Sequence, residues 1–192
     1  MDASVRPLLE PILSETGRLE GLVNDLLLYG RPPAPSLRMA KWEESLGPLR
    51  AHAQQIIGTR DIRFLSDNPG LEWETDPHLL QEALLNLIRN AADAIGDAPG
   101  GVVRLEIHSH GPKGLTLSVI DNGPGMSEAA RSRLFEPFFT TKAFGTGLGL
   151  AITRRLVQSL GGELSMNPGK PRGVEAVLRF PDVRAREVGE WM

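Results

Sequence analysis

Asp121-Asn122-Gly123-Pro124-Gly125-Met126 and, a short way on, Gly145-Thr146-Gly147-Leu148-Gly149-Leu150 are the stretches around which the chain is organised. The first follows Leu115-Thr116-Leu117-Ser118-Val119-Ile120, an alternating apolar run that reads as a strand. Asp121 therefore stands where a strand gives way to a loop. Gly123 and Gly125 let that loop take positive φ and let another group approach its backbone closely. The second stretch runs into Ala151-Ile152-Thr153-Arg154-Arg155-Leu156-Val157, an amphipathic helix. Glycines at a helix N-terminus leave free N–H groups and a positive dipole end, which suit a phosphate. Alone, each loop is weak. Asp-Asn-Gly is also a common turn. The glycines at 145, 147 and 149 lack the dinucleotide fingerprint, and no Lys-Ser/Thr pair closes them into a P-loop.

Upstream lies an apolar-periodic helix over residues 81–95, with Asp76 as N-cap and Pro77 at its first position. Asn86 and Asn90 are four apart and share one face. Asn competes with its own backbone for hydrogen bonds and is a poor interior helix residue, so two on one face want a reason. One reading is a buried amide pair satisfying a loop. The other is an oxygen ligand for a hard cation such as Mg²⁺, which keeps most of its waters and takes few protein ligands.

With Asn86 and Asn90, Asp121–Gly125, Phe135-Glu136-Pro137-Phe138-Phe139 and Gly145–Leu150 in that order, the chain resembles the catalytic ATP-binding domain of sensor histidine kinases of two-component systems. These correspond to the family's N, G1, F and G2 boxes, and the resemblance covers about residues 37–183. The compact Phe139-Thr140-Thr141-Lys142, just before Gly145, looks like the nitrogen-regulation subgroup.

The resemblance implies ATP and Mg²⁺ as ligands. Asn90 holds the metal, and Asp121 accepts a hydrogen bond from the adenine amino group, selecting adenine over guanine. Ile120, Gly123 and Gly125 lie near the base. Lys142 reaches the β- or γ-phosphate as a point charge, with hydroxyl contacts from Thr140 and Thr141. Gly145, Thr146, Gly147, Leu148 and Gly149 cup the phosphates, and Arg89 and Asp93 flank the site. Asn86 stands where the related gyrase-type ATPases carry a glutamate that activates water. An amide does not titrate and cannot be that base. An imidazole is already a competent nucleophile near neutral pH. Transfer to histidine is therefore the expected work, with ADP as product and hydrolysis slow.

The whole is expected to be an α+β fold: a two-layer sandwich of a mixed, mostly antiparallel sheet and three helices, preceded by one long helix. Strands are expected at 37–39, 62–66, 71–74, 102–109, 115–120, 163–166 and 174–180, and helices at 42–57, from 77 to near 96, and at 146–160. Asp67-Asn68-Pro69-Gly70 is a strong turn signal. Residues 124–145 form a lid, with a short helix capped by Ser127 running to Leu134. Residues 182–192 read as a charged, mobile tail.

Residues 4–29 read as one helix, with Val5, Leu9, Ile12, Thr16, Leu19, Val23 and Leu26 alternating four and three apart. Leu8, Leu13, Leu22 and Leu27 widen the stripe, so this helix must pack on the following domain or on another chain. Pro11 should kink it, leaving the firm part to begin near Ile12. By resemblance, residues 1–30 are the second helix of the family's dimerisation and phosphoacceptor hairpin, forming a homodimer. Residues 31–36 are a proline-rich linker, 37–183 the ATP-binding domain and 184–192 the tail. The histidine that accepts phosphate should precede an acidic residue and a nearby Asn-Pro. His52, His78, His108 and His110 are followed by Ala53, Leu79, Ser109 and Gly111. The expected acceptor helix is thus absent from this chain, as in a fragment of a longer parent, and the expected onward partner is a response regulator receiver domain.

The 192 residues, 41% apolar, suit one domain with an appendage, and a net charge of −3 gives no footprint for nucleic acid. Absence of cysteine excludes disulfides and thiolate metal sites and fits a cytoplasmic chain. No apolar run reaches the roughly 20 residues of a membrane span, though the parent could carry an anchor. Two other readings share the nucleotide motifs: a serine kinase of the anti-sigma-factor type, and a nucleotide-binding module without catalysis.

Overall fold

The computed structural model describes residues 6–31, 33–58, 60–66, 70–142, 145–181 and 185–187. Its elements in chain order are α1 (Arg6–Gly30), β1 (Arg38–Lys41), α2 (Trp42–Ile57), β2 (Asp61–Ser66), β3 (Leu71–Thr75), α3 (Pro77–Ile95), β4 (Val102–Ser109), β5 (Leu115–Asp121), α4 (Glu128–Arg131), α5 (Gly149–Ser159), β6 (Glu163–Pro168), β7 (Val174–Phe180) and β8 (Ala185–Glu187).

The central helix α3 begins where its cap chemistry dictates. Asp76 Oδ1 accepts from the backbone N–H groups of His78 (3.0 Å) and Leu79 (3.3 Å), and Pro77 takes the first position, where no N–H is needed. Residues Leu80, Ala83, Leu84, Leu87, Ile88 and Ala91 recur every three or four positions and are buried. They pack against β4 and β5, flanked by α2 and α5. Val103, Leu105 and Ile107 of β4 and Leu115, Leu117 and Val119 of β5 alternate into the same core.

The strands form two sheets. One has the order β2-β4-β5-β7-β6, parallel between β2 and β4 and antiparallel elsewhere. The other, β1-β3-β8, is antiparallel. The α+β class with a mixed, mostly antiparallel sheet is therefore as expected, but β2 and β3 do not pair with each other. Burial explains the division. The residues of β2 alternate between exposed and partly buried, as a strand at a sheet edge does, whereas Leu71, Glu72, Trp73 and Thr75 of β3 are buried. Trp73 packs against Trp42 at the start of α2, with ring centroids 5.9 Å apart. The intervening turn signal at 67–69 lies outside the described residues.

Four expectations need correction. The helix α1 runs on through position 11 without a break. The lid helix α4 is four residues long and ends at Arg131 rather than Leu134, although Ser127 caps it by accepting from Ala130 N–H at 3.2 Å. The helix α5 starts at Gly149, not Thr146. Gly147 has φ +69, outside the helical region, and the Thr146 hydroxyl accepts from Leu148 N–H, holding a turn before the helix. Residues 185–187 are not loose tail but the edge strand β8 on β3.

Candidate functional site

One face of α3 organises the site. Asn86, Asn90 and Ala94 succeed one another at four-residue steps, and each is approached by a different loop.

At Asn86 the partner is the start of α5. A Cβ on Gly149 would sit 2.9 Å from Asn86 Oδ1 and 3.0 Å from Nδ2, so only glycine lets the two helices come this close. The Asn86 amide donates to Thr153 Oγ1 at 2.6 Å, and the Thr153 hydroxyl donates to Gly149 O at 2.9 Å. The first N–H groups of α5, left without intrahelical partners, begin here.

At Asn90 the partner is the lid. Lys142 Nζ donates to Asn90 Oδ1 at 2.8 Å and to Asp93 Oδ2 at 2.7 Å. Its own backbone is held by Thr140 Oγ1, which accepts from Lys142 N–H, and by Gly145 N–H, which donates to Lys142 O. Further up the lid, Phe138 N–H donates to Gly147 O, and a Cβ on Gly147 would meet the Phe138 carbonyl carbon at 2.4 Å. Leu148 is buried beneath the loop. Thr141 is exposed on the lid surface.

At Ala94 the partner is the loop after β5. A Cβ on Gly123 would lie 3.4 Å from the Ala94 carbonyl carbon and 2.9 Å from Asp121 Oδ1. Asp121 is buried, with Oδ1 accepting from Gly123 N–H (2.8 Å) and Val174 N–H (3.3 Å). Burial pushes this carboxyl above the ordinary range, and the two N–H donors pull it part of the way back. Ile120 is half-buried on the strand beside it. Asn122 is structural. Its amide accepts from Val102 N–H and donates to Gly100 O, both at 2.8 Å, stapling the loop to the start of β4.

One position that sequence reasoning passed over completes the loop. Gly173, between β6 and β7, has φ +94, and a Cβ there would lie 1.9 Å from Asp121 O. Gly125, at φ +81, faces Gly173 O. A lone loop glycine fifty residues from Asp121 carried no local signal. Thr153 did carry one, as a hydroxyl on the otherwise apolar buried face of α5.

The helix α1 closes the far side. Thr146 Oγ1 donates to Asp25 Oδ2 at 3.1 Å, and the Arg155 guanidinium donates to Tyr29 O. A cavity of about 330 Å³ opens between α1, α3 and α5, lined by Asp25, Glu82, Asn86, Arg89 and Gly149 among others. Burial, and then the Asp25 carboxylate nearby, raise the Glu82 carboxyl. Arg89 lines this cavity.

The donor set around Asn90 fits a hard cation. An amide oxygen and a carboxylate oxygen converge there, and an ammonium group already stands against both. Among the described residues no three His, Asp or Glu side chains gather to hold a metal by themselves. Such an ion would take most of its ligands from phosphate and water.

A family model described as histidine kinase-, DNA gyrase B-, and HSP90-like ATPase matches residues 75–184. Sensor histidine kinase ZraS of Escherichia coli K12 is 33% identical over 180 residues, which are 91% of this chain and 37% of that protein. Nitrogen regulation protein NtrY of Azorhizobium caulinodans is 30% identical over 177 residues, 89% of this chain and 22% of the relative. The chain thus spans well under half the length of these relatives. Among solved structures, full-length ShkA in complex with AMPPNP superposes with a TM-score of 0.78 at 28% identity, over 94% of this chain and 39% of that one. Histidine kinase ThkA in complex with response regulator protein TrrA gives 0.76 at 25% identity, over 95% of this chain and 52% of that one.

Proposed function

The chain belongs to the family of histidine kinase-, DNA gyrase B-, and HSP90-like ATPases, and on that premise we propose that it is the ATP-binding catalytic module of a sensor histidine kinase. It transfers the γ-phosphoryl group of ATP to a histidine on a hairpin helix outside this chain, for relay to a response regulator. The observation that carries this reading is the order of contacts along α3. The phosphate-type loop meets Asn86, the lid lysine meets Asn90 and the carboxylate-bearing loop meets Ala94. From 86 to 94 is about 12 Å of helix, on the scale of a nucleoside triphosphate laid along it.

In this reading Asp121 accepts from the adenine amino group with the oxygen its backbone donors leave free, and Gly125 and Ile120 border the base. Guanine carries a carbonyl there, and two acceptors repel. Asn90, with Asp93 beside it, would hold Mg²⁺, which when bound offsets triphosphate charge and orients the phosphates. Lys142 and the first N–H groups of α5 at Gly149 supply the remaining positive potential. In the transfer the bond from the γ-phosphorus to the bridging oxygen breaks, a phosphorus–nitrogen bond to the imidazole forms, and ADP leaves with the electron pair. Asn86 cannot take a proton, so water is poorly activated and hydrolysis stays slow.

The same reading gives α1 its role. Ile12, Leu13, Leu19, Val23 and Leu27 are exposed apolar side chains on it. They suit a second hairpin helix and a homodimer. No helix among the described residues is long and apolar enough to cross a membrane.

The test is to mix the chain with Mg·ATP and a separately produced acceptor hairpin of the parent. Acid-labile phosphate on its histidine is expected, lost with Asn90→Ala. Acid-stable phosphoserine on a partner would favour a serine kinase instead. Binding of nucleotide without transfer would leave a non-catalytic module.

A further inference from the structure

We propose that Thr153 is a positioning residue for the transfer, acting through Asn86; this rests on the kinase reading above. No sequence motif includes it. It lies on α5 one turn beyond Gly149 and is fully buried, and Ala151, Ile152, Leu156 and Val157 of the same helix are buried too.

A hydroxyl has one proton and can accept with its lone pairs. The Thr153 proton goes to Gly149 O at 2.9 Å, a partner that can only accept. Toward Asn86, then, the oxygen can only accept. The 2.6 Å contact is a donation from the Asn86 amide nitrogen. An amide flipped by 180° would set its oxygen against the fully buried Thr153 oxygen, which has no proton left to give. Thr153 thus fixes which end of Asn86 points inward and where Oδ1 is presented. Gly149 holds the same amide from the side, since any Cβ there would strike both of its polar atoms.

The consequence is preorganisation. Asn86 lines the cavity beside Gly149, which opens α5, the helix end to which the kinase reading brings the phosphates. A polar group whose orientation is set before the ligand arrives costs no rearrangement in the transition state. Thr153 also joins the first turn of α5 to α3, so the phosphate-binding end of one helix and the amide of the other move as a unit. Second-layer partners of this kind hold a site within the tolerance that chemistry requires.

The test uses the full chain. Replacing Thr153 by Val keeps the shape and removes the hydroxyl, and Thr153→Ser keeps the hydroxyl. The side-chain amide signal of Asn86, identified by its loss in Asn86→Ala, should exchange with solvent at least tenfold faster in Thr153→Val and stay protected in Thr153→Ser. With acceptor hairpin supplied, Thr153→Val should lower kcat about tenfold while the Kd for Mg·AMPPNP moves less than twofold. Thr153→Ser should recover most of the rate. In an Asn86→Ala background, Thr153→Val should have no further effect on rate. Thr153→Ala carries the same comparisons if the valine variant does not fold. Unchanged amide exchange and kcat in the hydroxyl-free variants would overturn the proposal, as would a full additional loss in the Asn86→Ala background. Failure of the unaltered chain to transfer at all would sink the kinase reading instead, and the amide exchange would still decide whether Thr153 orients Asn86.

Discussion

Lys142 holds Asn90 from across the lid: its ammonium donates to the amide oxygen at 2.8 Å and pairs with Asp93 at 2.7 Å. That oxygen is the one assigned above to the metal, so lysine and metal compete for it. In the proposed reading, loading of metal and nucleotide should free Lys142 to turn toward the phosphates. Both partners of the ion pair are substantially exposed, and such pairs contribute about 0–1 kcal/mol to stability. Lys142→Met should therefore lower the melting temperature little, yet reduce transfer more than tenfold. Hydrogen exchange in the lid of the ligand-free chain should quicken. A large loss of stability with normal transfer would contradict this.

Asp121 is predicted to trade stability for recognition. Its folded-state carboxyl is raised by burial, so its contribution to stability is full below the ordinary carboxylate range and is lost as pH rises through the raised value. At pH 7 the ionised group costs stability. Asp121→Asn should raise the melting temperature of the ligand-free chain at neutral pH, with the gain shrinking on acidification. The same change should weaken adenine nucleotide binding by about 1.5–3 kcal/mol, the range for a hydrogen bond to a charged group. In the unaltered chain, affinity should fall as acid protonates Asp121. Calorimetric titration from neutral pH downward measures both.

Gly173→Ala meets two penalties at once, a φ of +94 and a Cβ 1.9 Å from Asp121 O. Strained backbone costs on the order of 1–3 kcal/mol, and here the backbone struck cannot step aside. A loss of about 2 kcal/mol or more in denaturant unfolding is expected, together with weaker nucleotide binding as Asp121 is displaced. Gly161→Ala is the control. It too has positive φ, at +79, but nothing within 4 Å, so only the backbone term applies and nucleotide binding should be untouched.

Glu82 faces α1 across the cavity, and its carboxyl is raised by burial and then by Asp25. As with any raised carboxyl, the associated stability is present at low pH and disappears as pH climbs through the folded-state value. Glu82→Gln should accordingly be more stable than the unaltered chain at neutral pH, with the two converging toward pH 4. Thermal melts across that window read the difference directly.

Much of this was legible in the residues because it is local. Asp76-Pro77 fixed the start of α3, the Asn86–Asn90 spacing fixed a shared face, and the alternation of β4, β5 and β7 marked their inward sides. What escaped depends on partners distant in sequence. The allocation of β2 and β3 to different sheets follows from which edges are buried in the assembled core. The three-residue shift of α5 follows from one hydroxyl contact and one positive φ. The strand β8 has little apolar character of its own and exists because β3 offers it an edge.

The cap of α3 has a mechanical corollary. While Oδ1 of Asp76 holds the helix start, Oδ2 accepts from Ser36 N–H at 2.8 Å, clamping the end of the proline-rich connector to the helix that bears Asn86 and Asn90. Any swing of α1 relative to α3 is therefore pivoted at or before that clamp. The 25-residue α1 is a rod of about 37 Å, so a turn of about 10° at such a fulcrum carries its far end roughly 6 Å. Two of its hydrogen-bonded moorings, Asp25 to Thr146 and Tyr29 to Arg155, sit near the fulcrum, where a lever is easiest to hold and its tip travels farthest.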